Sequence, residues 1–258
     1  GALLLPEWRH AHLPSTVLLH EKTNAMKGSV IAISAIDTGV GKTYTTGLLA
    51  KALRQQGRKV ITQKIVQTGC NGIAEDILEH RRLMDIDVQD VDHAGLTCPY
   101  VFRFPASPHL AASLEGKEID LIQIRRTTFA LQKQYEVVLM EGVGGLLVPL
   151  AHDLLFADYI ASAGYSLLLV TTPRLGSINH TLLSIEACAK RGIALRGIIY
   201  NMVGEIEPMI ADNTHSVIIH YLKKAGYSAP IFKLRNGIFD AEAVKQLSSI
   251  IMHSSPLL

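Results

Sequence analysis

Six short runs of apolar, largely β-branched residues punctuate the chain: "SVIAISA" from Ser29, "KVITQKIV" from Lys59, "EVVLMEG" from Glu136, "YSLLLVTT" from Tyr165, "LRGIIYNMV" from Leu195 and "APIFKL" from Ala229. They are apolar on both alternating faces, which suits strands of a parallel sheet buried between two layers of helix. Amphipathic stretches near 42–56, 74–84, 117–134, 152–163, 177–191, 209–225 and 239–252 predict the helices. This alternation dictates an α/β class: a doubly wound, mostly parallel sheet with helices on both faces. A ligand site in such a sheet lies beyond the carboxyl ends of the strands. The stretch 92–116, which carries Pro99, Pro105 and Pro108, predicts an irregular connecting or functional loop.

The first run leads into "SAIDTGVGKT", Ser34 to Thr43. A loop that closes a strand and opens a helix with Gly-Lys-Thr is the context of a phosphate-binding loop, or P-loop. The strict pattern G-x-x-x-x-G-K-[ST] wants glycine at position 36, where this chain has Ile36. The physical requirements are nonetheless present. Gly39 and Gly41 let backbone approach phosphate without a Cβ, and the helix start adds partial positive charge. Lys42 can reach the outer phosphates, and the Thr43 hydroxyl can ligate magnesium.

Other strand ends carry matching chemistry. Glu141 closes "EVVLMEG", where a carboxylate can hold magnesium directly or through water, or simply end the strand. Lys64 lies near the end of "KVITQKIV" and either faces the phosphates or is solvated. Asp76 opens the next helix, as a metal ligand or as a cap. Gly176, Ser177 and Ile178 stand at another helix start, whose N–H groups form an anion site or simply open the helix, with the Asn179 amide beside them.

Composition narrows the partners. A net charge of +2 with no basic stripe argues against nucleic acid. No apolar run is long enough for a membrane span. The three cysteines, Cys70, Cys98 and Cys188, are far apart and suggest neither zinc nor disulfides, so the reading is reduced thiols in a cytoplasmic protein. Residues 1–25 hold the single tryptophan and read as an extension or loosely packed arm ahead of a start at Met26; 26–258 reads as a single P-loop α/β domain. His10 and His12 do not share a helix face and read as no metal pair.

Taken in order, "DTGVGKT", "KIVQTG", "VLMEGVGG", "PASPH" and "LGSINH" resemble the dethiobiotin synthetases of biotin biosynthesis, over about Ser29 to Asn201. That family carries one more residue in its P-loop, so its first glycine falls where this chain has Ala35. Alanine is strained at positive φ, which predicts that Ala35 ends the first strand at negative φ. Ile65 stands in place of the proline expected after the strand lysine, predicting a looser turn, and "PIFKLRN" lacks the family's G-x-I-P base-pocket pattern.

The resemblance implies closure of a cyclic urea on 7,8-diaminononanoate with carbon dioxide, ATP and magnesium. It passes through a carbamate and then a mixed carbamic–phosphoric anhydride, and releases ADP and phosphate. Lys42, Lys64, Thr38 and Thr68 are then catalytic. Thr38, Gly39, Val40, Gly41, Lys42, Thr43 and Tyr44 hold the nucleotide, with Asn201 on adenine. Lys64, Thr68, Gly142, Gly144, Gly176, Ser177, Ile178 and Asn179 hold the substrate, and Thr43, Asp76 and Glu141 the metal. The "LGSINH" segment is expected to reach the substrate from a neighbouring subunit, making a homodimer with its active site at the interface. His109 reads as structural, and His80, His93, His152 and His215 receive no role. The alternative is a nucleotide-switch ATPase of the partition and site-selection type. Its P-loop needs a lysine where this chain has Asp37, which inverts the charge. A GTPase would need N-K-x-D where this chain reads "NMVG".

Overall fold

The computed structural model describes residues 28–204 and 207–253. The expectations for residues 1–25 and for Met26 fall outside the described residues. In chain order, β1 (Ser29–Ala35), α1 (Lys42–Gln55), β2 (Val60–Lys64), β3 (Gln67–Thr68), α2 (Glu75–Leu83), α3 (Asp90–His93) and β4 (Val101–Phe102) form the first half. They are followed by α4 (Pro108–Leu114), α5 (Leu121–Gln132), β5 (Val137–Gly145), β6 (Pro149–Ala151), β7 (Leu154–Leu155), α6 (Phe156–Ala163) and β8 (Ser166–Thr171). The last elements are α7 (Ser177–Arg191), β9 (Leu195–Met202), α8 (Pro208–Lys224), β10 (Ile231–Arg235), β11 (Ile238–Phe239) and α9 (Ala241–Met252).

Seven strands make the main sheet in the order β11-β10-β9-β8-β1-β5-β2. All its pairings are parallel except β10 with β11. Every residue of β1, β2 and β8 is buried, so helices cover both faces, as their two-sided apolar runs require. The chain leaves β1 for β2, and β5 later slots between them, while β8 pairs on the other side of β1. The strand order therefore reverses beside β1, and the Gly-Lys-Thr loop sits at that crevice, where such sheets place their ligands.

Each of the six apolar runs contains a strand of the main sheet, and each of the seven amphipathic stretches contains a helix. The region 92–116 is more regular than expected, because it holds β4 and α4. Pro108 is the first residue of α4, where its fixed φ favours helix and its missing N–H costs nothing. The "NG" at Asn236–Gly237, both at positive φ, turns β10 back into β11, a hairpin signal the sequence carried.

Two departures from the family pattern resolve structurally. Ala35 ends β1 and is not among the positive-φ residues, as expected. Ile65 does not loosen its turn: it is fully buried, and its N–H donates to the Glu141 carbonyl at 3.3 Å. Proline could not make that bond, so isoleucine lengthens the β2–β5 ladder by one rung. Among the described residues no helix is long and apolar enough to cross a membrane.

Candidate active site

Strand register builds the centre of the site. Lys64 ends β2 directly beside Glu141 of β5, and Glu141 also stands beside Ile33 of β1. The Lys64 ammonium donates to Glu141 Oε1 at 2.9 Å and to the Gly142 carbonyl at 3.0 Å, and pairs with Asp76 Oδ2 at 2.6 Å. From the other side, the first two residues of α1 reach the same oxygen. Thr43 Oγ1 donates to Oε1 at 3.1 Å, and the Lys42 ammonium lies 3.7 Å from it. Lys64 and Lys42 thus converge on one carboxylate oxygen at the mouth of the P-loop.

Burial makes these charges strong. Glu141 is fully buried and Lys64 is 4% exposed. Burial alone would push the Glu141 carboxyl up, but Lys64, a hydrogen bond from His80 and Lys42 together hold it well below the usual carboxylate range. Burial likewise pulls Lys64 down, and Glu141 and Asp76 more than reverse it, so its ammonium is raised above an ordinary lysine. Lys42 is left lowered by burial and by Lys64, despite Glu141 and Asp76. By contrast, burial pushes the Cys98 and Cys188 thiols up to about 12, too high for either to serve as a thiolate.

Asp76 sits in the first turn of α2, and its carboxylate faces Lys64; the cap position of that helix belongs to Ala74. Thr43, Asp76 and Glu141 offer a hydroxyl and two carboxylates around one ammonium. This all-oxygen set suits magnesium. Among the described residues no group of three or more His, Cys, Asp or Glu could cage a metal alone. A magnesium ion completed by phosphate oxygens and water fits that donor set.

The P-loop backbone is shaped by glycine and braced from β9. Gly41 has φ +85°, and a Cβ there would lie 2.3 Å from Asn201 Nδ2. That amide donates to the Val40 carbonyl at 3.0 Å, while Asn201 Oδ1 is buried without a partner. Asn201 is thus pressed against the loop. Tyr44 turns toward the β10–β11 hairpin, since a Cβ on Gly237 would meet its hydroxyl. Thr38 and Gly39 are exposed at the loop tip, and the Thr38 N–H is taken by Asp37 Oδ1 at 2.8 Å.

The expected substrate residues do not all gather. Thr68 lies in β3, four residues beyond Lys64 and paired with β4. Gly144, at φ +59°, lies near Thr38, with a built Cβ 4.0 Å from its hydroxyl. A Cβ on Gly142 would lie 2.2 Å from the Phe156 ring, and its carbonyl accepts from Lys64. At α7, Gly176 is the N-cap residue at φ +85°. The Ser177 N–H is already spent on the Arg174 carbonyl, which leaves Ile178 and Asn179 as the first-turn amides. β8 and β2 are three strand positions apart, so this helix start is roughly 14 Å across the sheet from the Lys64 strand at the usual strand spacing.

A sequence profile described as an AAA domain matches residues 29–246. The ATP-dependent dethiobiotin synthetase BioD of Chlorobaculum tepidum is 60% identical over 226 residues, covering 87% of this chain and 95% of that protein. The chain belongs to the dethiobiotin synthetase family. BioD 2 of Haemophilus influenzae, likewise named an ATP-dependent dethiobiotin synthetase, is 49% identical over 190 residues, covering 74% of this chain and all of the relative. Among solved structures, the MinC:MinD cell division protein complex of Aquifex aeolicus aligns at TM-score 0.50 and 19% identity over 86% of each chain, a likeness of fold.

Two residues of this dethiobiotin synthetase family member escaped the sequence reading. His80 is fully buried, and its Nε2 lies 2.8 Å from Glu141 Oε2. The signal was its spacing: Asp76 and His80 are four apart and so share a helix face. Arg174 pairs with Asp37 at 2.6 Å, joining the P-loop to the segment before α7. Nothing in the sequence spacing marks that contact.

Proposed function

We propose that this chain is an ATP-dependent dethiobiotin synthetase that closes the cyclic urea on 7,8-diaminononanoate with carbon dioxide. The observation that carries the reading is the convergence of Lys42 and Lys64 on Glu141 Oε1 at the P-loop. A buried ammonium group beside a half-buried one suits a reaction that moves a phosphoryl group onto an anionic acceptor. No protein nucleophile is required, because the substrate brings its own. Catalysis then consists of positioning and electrostatic stabilisation.

In this reading, one amine of the diamine takes up carbon dioxide as a carbamate, oriented by Lys64 and the Thr68 hydroxyl. A carbamate oxygen attacks the γ-phosphorus and ADP leaves, with Lys42, Lys64 and Thr38 countering the charge on the transferring oxygens. The second amine attacks the carbonyl carbon, phosphate departs, and the ring closes. Thr43, Asp76 and Glu141 would hold magnesium, which when bound neutralises charge on the β- and γ-phosphates. The unpartnered Asn201 oxygen suits the exocyclic amine of adenine, and the P-loop from Thr38 through Tyr44 the phosphates and sugar.

The carboxylate tail of the substrate is assigned to the start of α7, with Asn179 as a side-chain donor. Its distance across the sheet from Lys64 favours delivery from a second copy, hence a homodimer. The switch-ATPase alternative is weakened because Asp37, in place of the lysine it needs, is an acid committed to Arg174.

The test is ADP release from the full chain with ATP and magnesium. Release that needs both 7,8-diaminononanoate and bicarbonate supports the reading. Release stimulated by DNA or lipid vesicles without the diamine, or no release under any of these conditions, overturns it.

A further inference from the structure

The two oxygens of Glu141 have different company. Oε1 receives Lys64, Thr43 and, at longer range, Lys42. Oε2 faces His80 Nε2 at 2.8 Å, from the opposite side. The histidine stands on α2 one turn beyond Asp76, so one helix face supplies both a carboxylate for Lys64 and a donor for Glu141.

His80 is not explained as filler. Its ring is fully buried, and Nδ1 has no hydrogen-bond partner. A buried polar atom without a partner is costly, and an apolar side chain of similar size would avoid that cost. What histidine offers here and leucine lacks is the N–H aimed at Oε2. We propose that His80 is a positioning residue: it ties down Glu141 Oε2 and so fixes the carboxylate with Oε1 alone turned toward the lysines and the magnesium position. Magnesium demands near-octahedral geometry, which a carboxylate free to swing into two-oxygen contact would upset. Hydrogen bonds to a ligating carboxylate hold it in the one-oxygen pose.

This inference rests on the assignment of Glu141 to magnesium in the proposed function, and its test is separable from turnover. Manganese is titrated into the full chain with ADP and followed by electron paramagnetic resonance; ADP binding in EDTA and thermal melting are measured alongside. His80→Leu is expected to weaken manganese binding about 10–100-fold, while ADP affinity without metal stays within about twofold. His80→Gln, whose amide can donate to Oε2, is expected to restore most of the loss. Should His80→Leu fail to fold, His80→Met takes its place against His80→Gln.

Manganese binding by the folded apolar variant equal to wild type overturns the proposal, leaving His80 a packing residue. Loss in the Gln variant as great as in the apolar one also overturns it, because the donor is then not what matters. The expected manganese pattern in a chain that releases no ADP with diamine and bicarbonate would retire the synthetase reading and leave this one standing.

Discussion

Helix α2 stands between two buried charge clusters that solve the same problem differently. On one side, Arg81 forms a two-pronged pair with Asp92, Nε to Oδ2 at 2.8 Å and Nη2 to Oδ1 at 2.7 Å. Thr62 takes Arg81 Nη1, while Thr97 and the Gln89 N–H complete the Asp92 oxygens. On the other side, Lys42, Lys64 and Thr43 all address one oxygen of Glu141. The first cluster is closed: each charge meets its opposite with matched geometry. The second crowds two cations together, and Lys42 is held below its ordinary range by burial and by Lys64. Glu141 and Asp76 match the two lysines in number, but Lys42 reaches Glu141 Oε1 only at 3.7 Å. The difference separates a pair matched prong for prong from a cluster that holds one cation loosely, as the proposed phosphate site requires.

The comparison breaks if the two clusters respond alike to mutation. The largest effect is expected at the closed pair. Asp92→Ala strands a buried guanidinium and should cost about 3–5 kcal/mol of stability by denaturant melts, with a far smaller loss of turnover per folded molecule than Lys64→Ala gives. Acid sharpens that result. Burial pushes the Asp92 carboxyl up, but Arg81 and its other donors hold it below the usual range. Its contribution is therefore complete above about pH 4 and lost as pH falls through its folded-state value. The melting gap between wild type and Asp92→Ala should close on acidification.

Next in size, Lys64→Ala should lower turnover on the order of 10²–10³, or about 2.7–4 kcal/mol, in a chain that still folds. Full turnover in that variant removes Lys64 from the mechanism. Gly41→Ala should weaken ATP binding by about 1–2 kcal/mol through its positive φ, with further loss from the clash with Asn201. Calorimetry of nucleotide binding checks this, and an unchanged affinity would mean the brace from β9 is dispensable. Smallest, Ile65→Pro removes the rung to the Glu141 carbonyl and should cost about 0.5–1.5 kcal/mol for that bond, read as a lower melting temperature.

The sheet was legible because its strands are apolar on both faces, a pattern few other structures tolerate. Lys42 was legible because a residue at the start of the helix after the first strand projects into a crevice that topology fixes in advance, whereas the strand-end positions of Glu141 and Lys64 allowed an ordinary reading as well. Asp76 was ambiguous, since a first-turn acid caps a helix as readily as it meets a lysine. His80 was missed because a lone histidine in an amphipathic stretch announces nothing until the neighbouring strand is placed. The packing of Gly142 was equally hidden, because the Phe156 ring that a Cβ there would meet belongs to a helix that follows in the chain. Helix α4 was hidden by prolines, one of which starts it.

Because His80 and Arg81 are consecutive in α2, they leave the helix axis about 100° apart. One serves Glu141 and the other Asp92. The rotational setting of this one cylinder is therefore locked from both flanks. A twist that spoiled the structural pair would also drag Asp76 and His80 off target, so damage to anchoring on one flank should surface as poorer chemistry on the other.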